Sequence, residues 1–340
     1  MELFEGVYET LISKAIQEKL SSEFGDHNYQ IVKEKLDSAE SNKMLSSYLA
    51  EIVSTILKES FSENNVANTI SKQVDCINKI LKFIEDEWQI SLEEDGMLLS
   101  HESEDQFLRA IYSKTGLRQN QVEAQSKVHP ISGYRVSSLF TGGKDLAMDD
   151  EMKRDIQTAD QIDMLVSFIR WTGLRLIIDS LREFLQKPNA KLRVITTTYM
   201  GATDPKAIRE LFGLSSPDKV QIKVSYNTRE ERLHAKSYIF KRDTNFDTAY
   251  IGSSNLSYSA LTKGLEWNMR VTNVENSHIL DKTKAAFDTY WNSEDFELVK
   301  NEEDLRRFAK AIDECHGQDT AEVRQIVRFE RKTQIGRAHV

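Results

Sequence analysis

The chain has 340 residues, of which 39% are hydrophobic and 29% charged, and carries a formal net charge of −9. This is the composition of an ordinary folded protein of one or two domains, and it excludes low-complexity and collagen-like chains. No apolar run approaches the ~18 residues of a membrane span. The first ten residues show neither the basic nor the apolar stretch of a signal peptide. Cys76 and Cys315 lie far apart, with no metal-ligand spacing, which suits a reducing cytoplasm and leaves no metal site expected.

Residues 1–112 read as an all-helical domain. Val7, Leu11, Ile12, Ile16 and Leu20 make an apolar stripe at helical spacing, and comparable patterns recur over 42–57 and 70–88. Residues 1–110 carry a net charge of −12, most simply a solvated face. Residues 113–139 are rich in turn formers, with Gly116, Pro130 and Gly133, and read as a connector running toward Gly142 and Gly143.

The pattern then changes. A helix is expected over 146–158, a buried strand over 162–168, a helix over 172–185 and a β-branched strand over 191–198. Asp204 before Pro205 predicts a helix N-cap with proline at the first helical position, opening a helix to 212. Strands follow over 220–226, 235–241, 248–253 and 265–271, with a short helix at 257–263. Such alternation predicts an α/β fold, a mixed β-sheet flanked by helices. Residues 293–334 read as a charged, partly helical linker. The final I-G-R-A-H-V (335–340) is one reading frame of a common sequencing adapter, so a non-native tail on a C-terminally truncated fragment is expected.

The chemistry concentrates between 233 and 267. In L-H-A-K-S-Y-I-F, His234 and Lys236 stand two apart, so on a strand they face one side. Imidazole beside a fixed ammonium is disfavoured as a cation, and neutral imidazole is a nucleophile. Lys236 suits a nonbridging phosphate oxygen and the charge that grows during displacement. In G-S-S-N, Gly252 allows close backbone approach, and Ser253, Ser254 and Asn255 offer hydrogen bonds to phosphate oxygens. Glu266 is placed to accept from the second imidazole nitrogen. Tyr199 and Asp204 fall where a strand end meets a helix start, a common cleft lining; a plain turn with a capping Asp is the competing reading. Trp171 and Trp267 suit base stacking or the core. Arg170, Arg175 and Arg232 suit a nucleic-acid backbone or solvent. Residues 164–270 carry a net charge of +7, so the acidic chain does not exclude a polyanionic substrate.

H-A-K followed by G-S-S-N resembles the HxK…GSxN signature of the phospholipase D superfamily. From about Phe140 to Trp291, the stretches L-V-S-F-I-R-W-T-G-L-R, T-T-T-Y-M-G-A-T-D, A-Y-I-G-S-S-N-L-S and G-L-E-W-N resemble the phospholipase D-like nuclease domain found ahead of DEAD/DEAH-type helicases in some bacterial proteins. The resemblance implies a nuclease domain over 140–292, with catalytic His234, Lys236, Asn255 and Glu266 and substrate-binding Gly252, Ser253, Ser254, Tyr199 and Arg232. It also implies no cofactor and no metal, DNA as substrate, and a helicase region absent from this chain. His234 would form a phosphohistidine while a second His protonates the leaving oxygen. This chain has one His-x-Lys, so a homodimer with a composite site is implied. The superfamily places Asp five residues after the Lys; here Lys241 stands there, which makes the lipase branch less expected. A binding module that cuts poorly and, last, a lipid phosphodiesterase remain the alternatives.

Overall fold

The computed structural model describes residues 3, 10–24, 31–39, 41–60, 66–92, 97–100, 107–109, 111, 128–142, 147–226, 233–262 and 264–316. Arg232, Gly116, Gly143 and the tail beyond 316 lie outside them. The chain forms two compact units, Met1–Ile111 and Tyr112–Val340.

The first unit is helical, with α1 (Lys14–Glu23), α2 (Ser41–Ser60) and α3 (Val66–Trp88). Ser13 caps α1, its hydroxyl accepting from the Ile16 N–H at 3.3 Å. Gln73 donates to the Leu57 carbonyl at 3.0 Å and so ties α3 to α2.

The second unit holds an eight-stranded sheet in the order β1-β7-β6-β5-β2-β3-β4-β8. Its strands are β1 (Ser138–Phe140), β2 (Gln161–Leu165), β3 (Lys191–Thr197), β4 (Val220–Ser225), β5 (Ser237–Lys241), β6 (Thr248–Gly252), β7 (Asn268–Thr272) and β8 (Glu297–Leu298). β2, β3 and β4 run parallel; the remaining pairs are antiparallel. The helices are α4 (Met148–Thr158), α5 (Trp171–Leu185), α6 (Pro205–Phe212), α7 (Tyr258–Thr262), α8 (Asn273–Asn292) and α9 (Glu302–His316), with a 3-10 turn at Tyr199–Gly201.

Period-two alternation sends Ile162, Met164, Val194, Ile222, Val224 and Phe240 to one face. There they pack against Met152 and Ile156 of α4, Ile177 and Phe184 of α5, and Ile208 of α6. Leu305, Phe308 and Ile312 of α9 join the same core, so the segment read as a charged linker begins with a core helix. The opposite face gives Leu165, Ile195, Ile239 and Ala249 to Leu280 and Phe287 of α8. The result is the expected mixed sheet between helical layers.

Sequence reasoning missed β1, β8 and α8. β1 and β8 are too short for periodicity. α8 did carry a signal in Thr272-x-x-Glu275, where the Thr272 hydroxyl accepts from the Glu275 N–H at 3.4 Å. Asp204 holds the N-cap position of α6, but its side chain caps α5 instead. It accepts from the Trp171 N–H at 2.7 Å and from Arg170 at 2.9 Å.

A buried charge cluster braces the sheet at the end away from the His-x-Lys pair. Asp155 of α4 receives Arg242 at 2.7 Å, Arg270 at 2.9 Å, Tyr250 at 2.9 Å and Thr248 at 3.0 Å. Nothing in the sequence pattern marked Asp155, because its partners come from three separate strand segments.

Candidate active site

Topology brings the chemistry-bearing segments together. β2, β3 and β4 end, β5 begins, β6 ends and β7 begins along one edge of the sheet, as the pairings Leu165↔Ser237, Ser237↔Ile251 and Gly252↔Asn268 show. Tyr199, His234, Lys236, the Gly252–Asn255 turn and Glu266 therefore all lie at the same end.

His234 and Lys236 do not lie within β5, as the sequence suggested, but just before it. The ladder with β2 stops at Leu165↔Ser237, while β2 keeps its pairing with β3 one bond further, the Val166 N–H donating to the Ile195 carbonyl at 3.0 Å. One bond still holds the segment, from the Gly252 N–H to the Lys236 carbonyl at 3.3 Å. The expected pairing of the two side chains survives: Lys236 Nζ lies 3.0 Å from Nδ1 of His234. Lys236 also donates to the His234 carbonyl at 2.5 Å. The imidazole is exposed, whereas Lys236 is 5% exposed. Burial lowers the Lys236 pKa from 10.5 to about 8, and the nearby Glu266 carboxylate works against that fall.

The Gly-Ser-Ser-Asn turn divides its labour. Oδ1 of Asn255 accepts from the Phe168 N–H at 3.2 Å, which leaves the amide nitrogen as the half available to a ligand. Ser254 is fully buried; its hydroxyl donates to the Ala260 carbonyl at 3.1 Å and accepts from Asn268 Nδ2 at 2.7 Å, so it serves the turn. The Ser253 hydroxyl is exposed and accepts from the Trp267 N–H at 3.1 Å. A methyl group on Gly252 would overlap the Trp267 carbonyl and come within 2.6 Å of Asn268 Oδ1, so this glycine is required by strand packing. Gly173 does the same for α5, where a methyl group would lie 2.5 Å from the Ser257 backbone.

Glu266 sits at the entry to β7, beside a small cavity lined also by Phe140, Gly142, Met148, Leu261 and Asn268. It makes no hydrogen bond to His234; its electrostatic partner is Lys236, and it also raises the pKa of buried Tyr238 behind desolvation. Tyr199 is half-buried in the 3-10 turn after β3, at the same end of the sheet. Trp171 is covered on one face by Lys206, 4.3 Å from its ring centroid, whereas Trp267 is 67% exposed. Among the described residues no group of three or more His, Cys, Asp or Glu side chains is placed to hold a metal ion, and no helix is long and apolar enough to cross a membrane.

The departure at Lys241 lies at the other end of β5. Its ammonium pairs with Asp163 at 2.7 Å, a carboxylate that also takes Arg193 at 2.6 Å.

A mixed α/β/α sheet with a His-x-Lys pair and an anchored Gly-Ser-Ser-Asn turn at one end defines a phospholipase D-like phosphodiesterase domain. Residues 146–293 match the family model of the NgoFVII restriction endonuclease N-terminal PLD domain, so this segment is a phospholipase D-like nuclease domain. Every described candidate site residue falls inside the match. Among solved structures the chain is similar to Nuc, a phospholipase D family member from Salmonella typhimurium, with 17% identity and a TM-score of 0.37 over 49% of this chain and 100% of that one. NucT from Helicobacter pylori matches with 16% identity and a TM-score of 0.35 over 45% of this chain and 94% of that one. TrmBL2, an archaeal chromatin protein, matches with 12% identity and a TM-score of 0.31 over 83% and 98%. No curated protein matches the chain.

Proposed function

We propose that this protein is a metal-independent nuclease that cleaves DNA through a phosphohistidine on His234. The observation that carries the reading is the contact between the exposed His234 ring and the buried Lys236 ammonium, at the same sheet edge as the Asn255 amide. Lys236, donating to Nδ1, leaves the ring proton on Nε2. A phosphate that draws Lys236 onto its nonbridging oxygen frees Nδ1; the ring takes up a proton there and loses the one on Nε2, so that Nε2 attacks, while the Glu266 carboxylate favours Lys236 as the cation on the phosphate. The P–O bond to the leaving strand breaks as the N–P bond forms. The leaving oxygen takes its proton from a second imidazole, the partner subunit's His234 in its cationic form, which is left neutral. That imidazole then deprotonates water, which hydrolyses the phosphohistidine and restores the ring.

The chain's one His-x-Lys supports a homodimer with a composite site. The matched family's name supports a restriction-type role against foreign DNA. The resemblance supports a division into a helical domain (1–112), a connector (113–139), the nuclease domain (140–292) and a link (293–334) toward a helicase, within the cytoplasm.

The test is cleavage of single- and double-stranded DNA in excess EDTA by the wild-type chain and by His234→Ala. Chelator-resistant cleavage that vanishes in the variant supports the reading. Equal cleavage by both removes His234 from the chemistry. Retained DNA binding without turnover in the wild type favours the binding-module alternative.

A further inference from the structure

We infer that Gly142, at the exit of edge strand β1, is a positioning residue for Glu266, holding in place the turn that brings this carboxylate to the site. The inference rests on the reading of Glu266 as part of the nuclease site. β1 and β7 pair antiparallel with Phe140 opposite Asn268. Two residues further along the same register, Gly142 comes opposite Glu266. The two face each other across the small cavity shared with Phe140 and Asn268.

The contact is one of backbone on backbone. Gly142 has φ +75°, a left-handed conformation that favours glycine. A methyl group there would overlap the Gly264 carbonyl oxygen and lie 3.7 Å from the Glu266 amide nitrogen. Gly264 is packed as closely from the other side. Its N–H donates to the Ser259 carbonyl at 2.6 Å, and a methyl group on it would come 2.7 Å from that oxygen and 3.4 Å from Cγ of Glu266. Two glycines thus clamp the turn that delivers Glu266. Neither glycine offers a side chain to substrate, so an effect on turnover passes through the residues the turn carries, and the Glu266→Gln background isolates the carboxylate's share.

β1 contributes little else to the site. It is three residues long and lies at the sheet edge, with Leu139 52% exposed. Its placement beside β7 is explained if its task is to present Gly142 to the 264–266 turn.

A double-mutant cycle tests this. Chelator-resistant DNA cleavage and melting temperature are measured for Gly142→Ala, Glu266→Gln and the double variant, with Gly264→Ala as a second perturbation of the same clamp. Gly142→Ala is expected to lower kcat at least tenfold. The double variant is expected to be no slower than Glu266→Gln alone, because a displaced carboxylate and an absent one cost the same step. Multiplying losses in the Gly142 and Gly264 cycles alike, or unchanged kcat in Gly142→Ala, overturns the positioning role. If Gly142→Ala fails to fold, the Gly264→Ala cycle decides by the same criterion. If Glu266→Gln itself cleaves at the wild-type rate, the assignment of Glu266 fails, and the positioning role falls with it.

Discussion

Phe168 donates its backbone N–H to Oδ1 of Asn255, at 3.2 Å, and so locks the loop after β2 to the turn after β6. The two segments are further joined by the Ile169↔Leu256 bridge and by the bond from the Arg170 N–H to the Leu256 carbonyl at 2.8 Å. Asn255 therefore has two separable duties, one at each end of its amide. Asn255→Asp keeps an oxygen for Phe168 but replaces the donor by a negative charge facing phosphate. It should retain the wild-type melting temperature within about 2 °C and lose cleavage by about 100-fold or more, the scale of one lost transition-state donor. Asn255→Ala loses both duties. It should show a similar activity loss together with about 1–3 kcal/mol less stability, from the orphaned Phe168 N–H. Equal stability of the two variants would show that the Phe168 contact contributes nothing.

Lys236 makes the site sensitive to alkaline pH. With a pKa of about 8, it is the cation needed on phosphate only below that value. Cleavage should fall as pH rises through about 8. His234 and Tyr238 flank Lys236 on its own segment and Glu266 faces it from the entry to β7; removing that charge in Glu266→Gln should move the fall to lower pH. Stability should move the opposite way. The folded pKa lies below the 10.5 of the unfolded chain, so between about 8 and 10.5 the unfolded state binds more protons and stability rises with pH. The stability of the wild type relative to Lys236→Met should increase across that window. A flat difference would mean that Lys236 is not buried as a cation.

The fold was largely legible because β2 and β3 are short apolar or β-branched runs, β4 alternates, and α6 opens with Asp204 before Pro205. The candidate site residues His234, Lys236, Asn255 and Glu266 stand close together in sequence, and the strand pairings bring them to the same end of the sheet. What their side chains do was not legible. Ser253 and Ser254 look like phosphate donors in a string of letters, yet in the fold Ser254 donates to the Ala260 carbonyl at 3.1 Å and Ser253 to the Trp267 carbonyl at 3.4 Å. Glu266 was expected on the imidazole and stands beside the ammonium, a choice set by how the 264–266 turn packs on Gly142. The same limit hid Asp155, whose meaning depends on Arg242 and Arg270 arriving from distant strands.

Lys241 occupies the position where the superfamily pattern has an acid, and the structure gives it a local explanation. It stands five residues from Lys236 along an extended chain, about 16 Å away. Its partner Asp163 is 2% exposed and holds Arg193 through two bonds of 2.6 and 2.8 Å. Lys241→Ala should leave chelator-resistant cleavage within twofold of wild type, since Arg193 still neutralises Asp163. Asp163→Asn should cost about 3 kcal/mol by leaving Arg193 and Lys241 without their shared carboxylate, again with little change in kcat for the folded fraction. A Lys241→Ala variant that folds normally but cuts poorly would place this end of β5 in the reaction.

Asp155 gives the largest stability effect expected outside the site. It is fully buried between Arg242 and Arg270, both themselves buried. Burial alone would raise its pKa, but the two guanidiniums and the hydrogen bonds from Arg270 and Tyr250 outweigh that and hold it below the usual 3.8. Asp155→Asn keeps the shape and removes the charge, leaving two buried guanidiniums without the carboxylate they share. A loss of about 3–5 kcal/mol is expected near neutral pH. Because the folded pKa is depressed, the stabilisation is complete above the unfolded value and is lost as pH falls toward the folded one. Urea unfolding of both proteins should therefore show a constant gap from pH 7 to about pH 5 that narrows below pH 4. A gap that does not narrow would mean that Asp155 acts by shape and hydrogen bonding, and that its charge is not what holds α4 to the sheet.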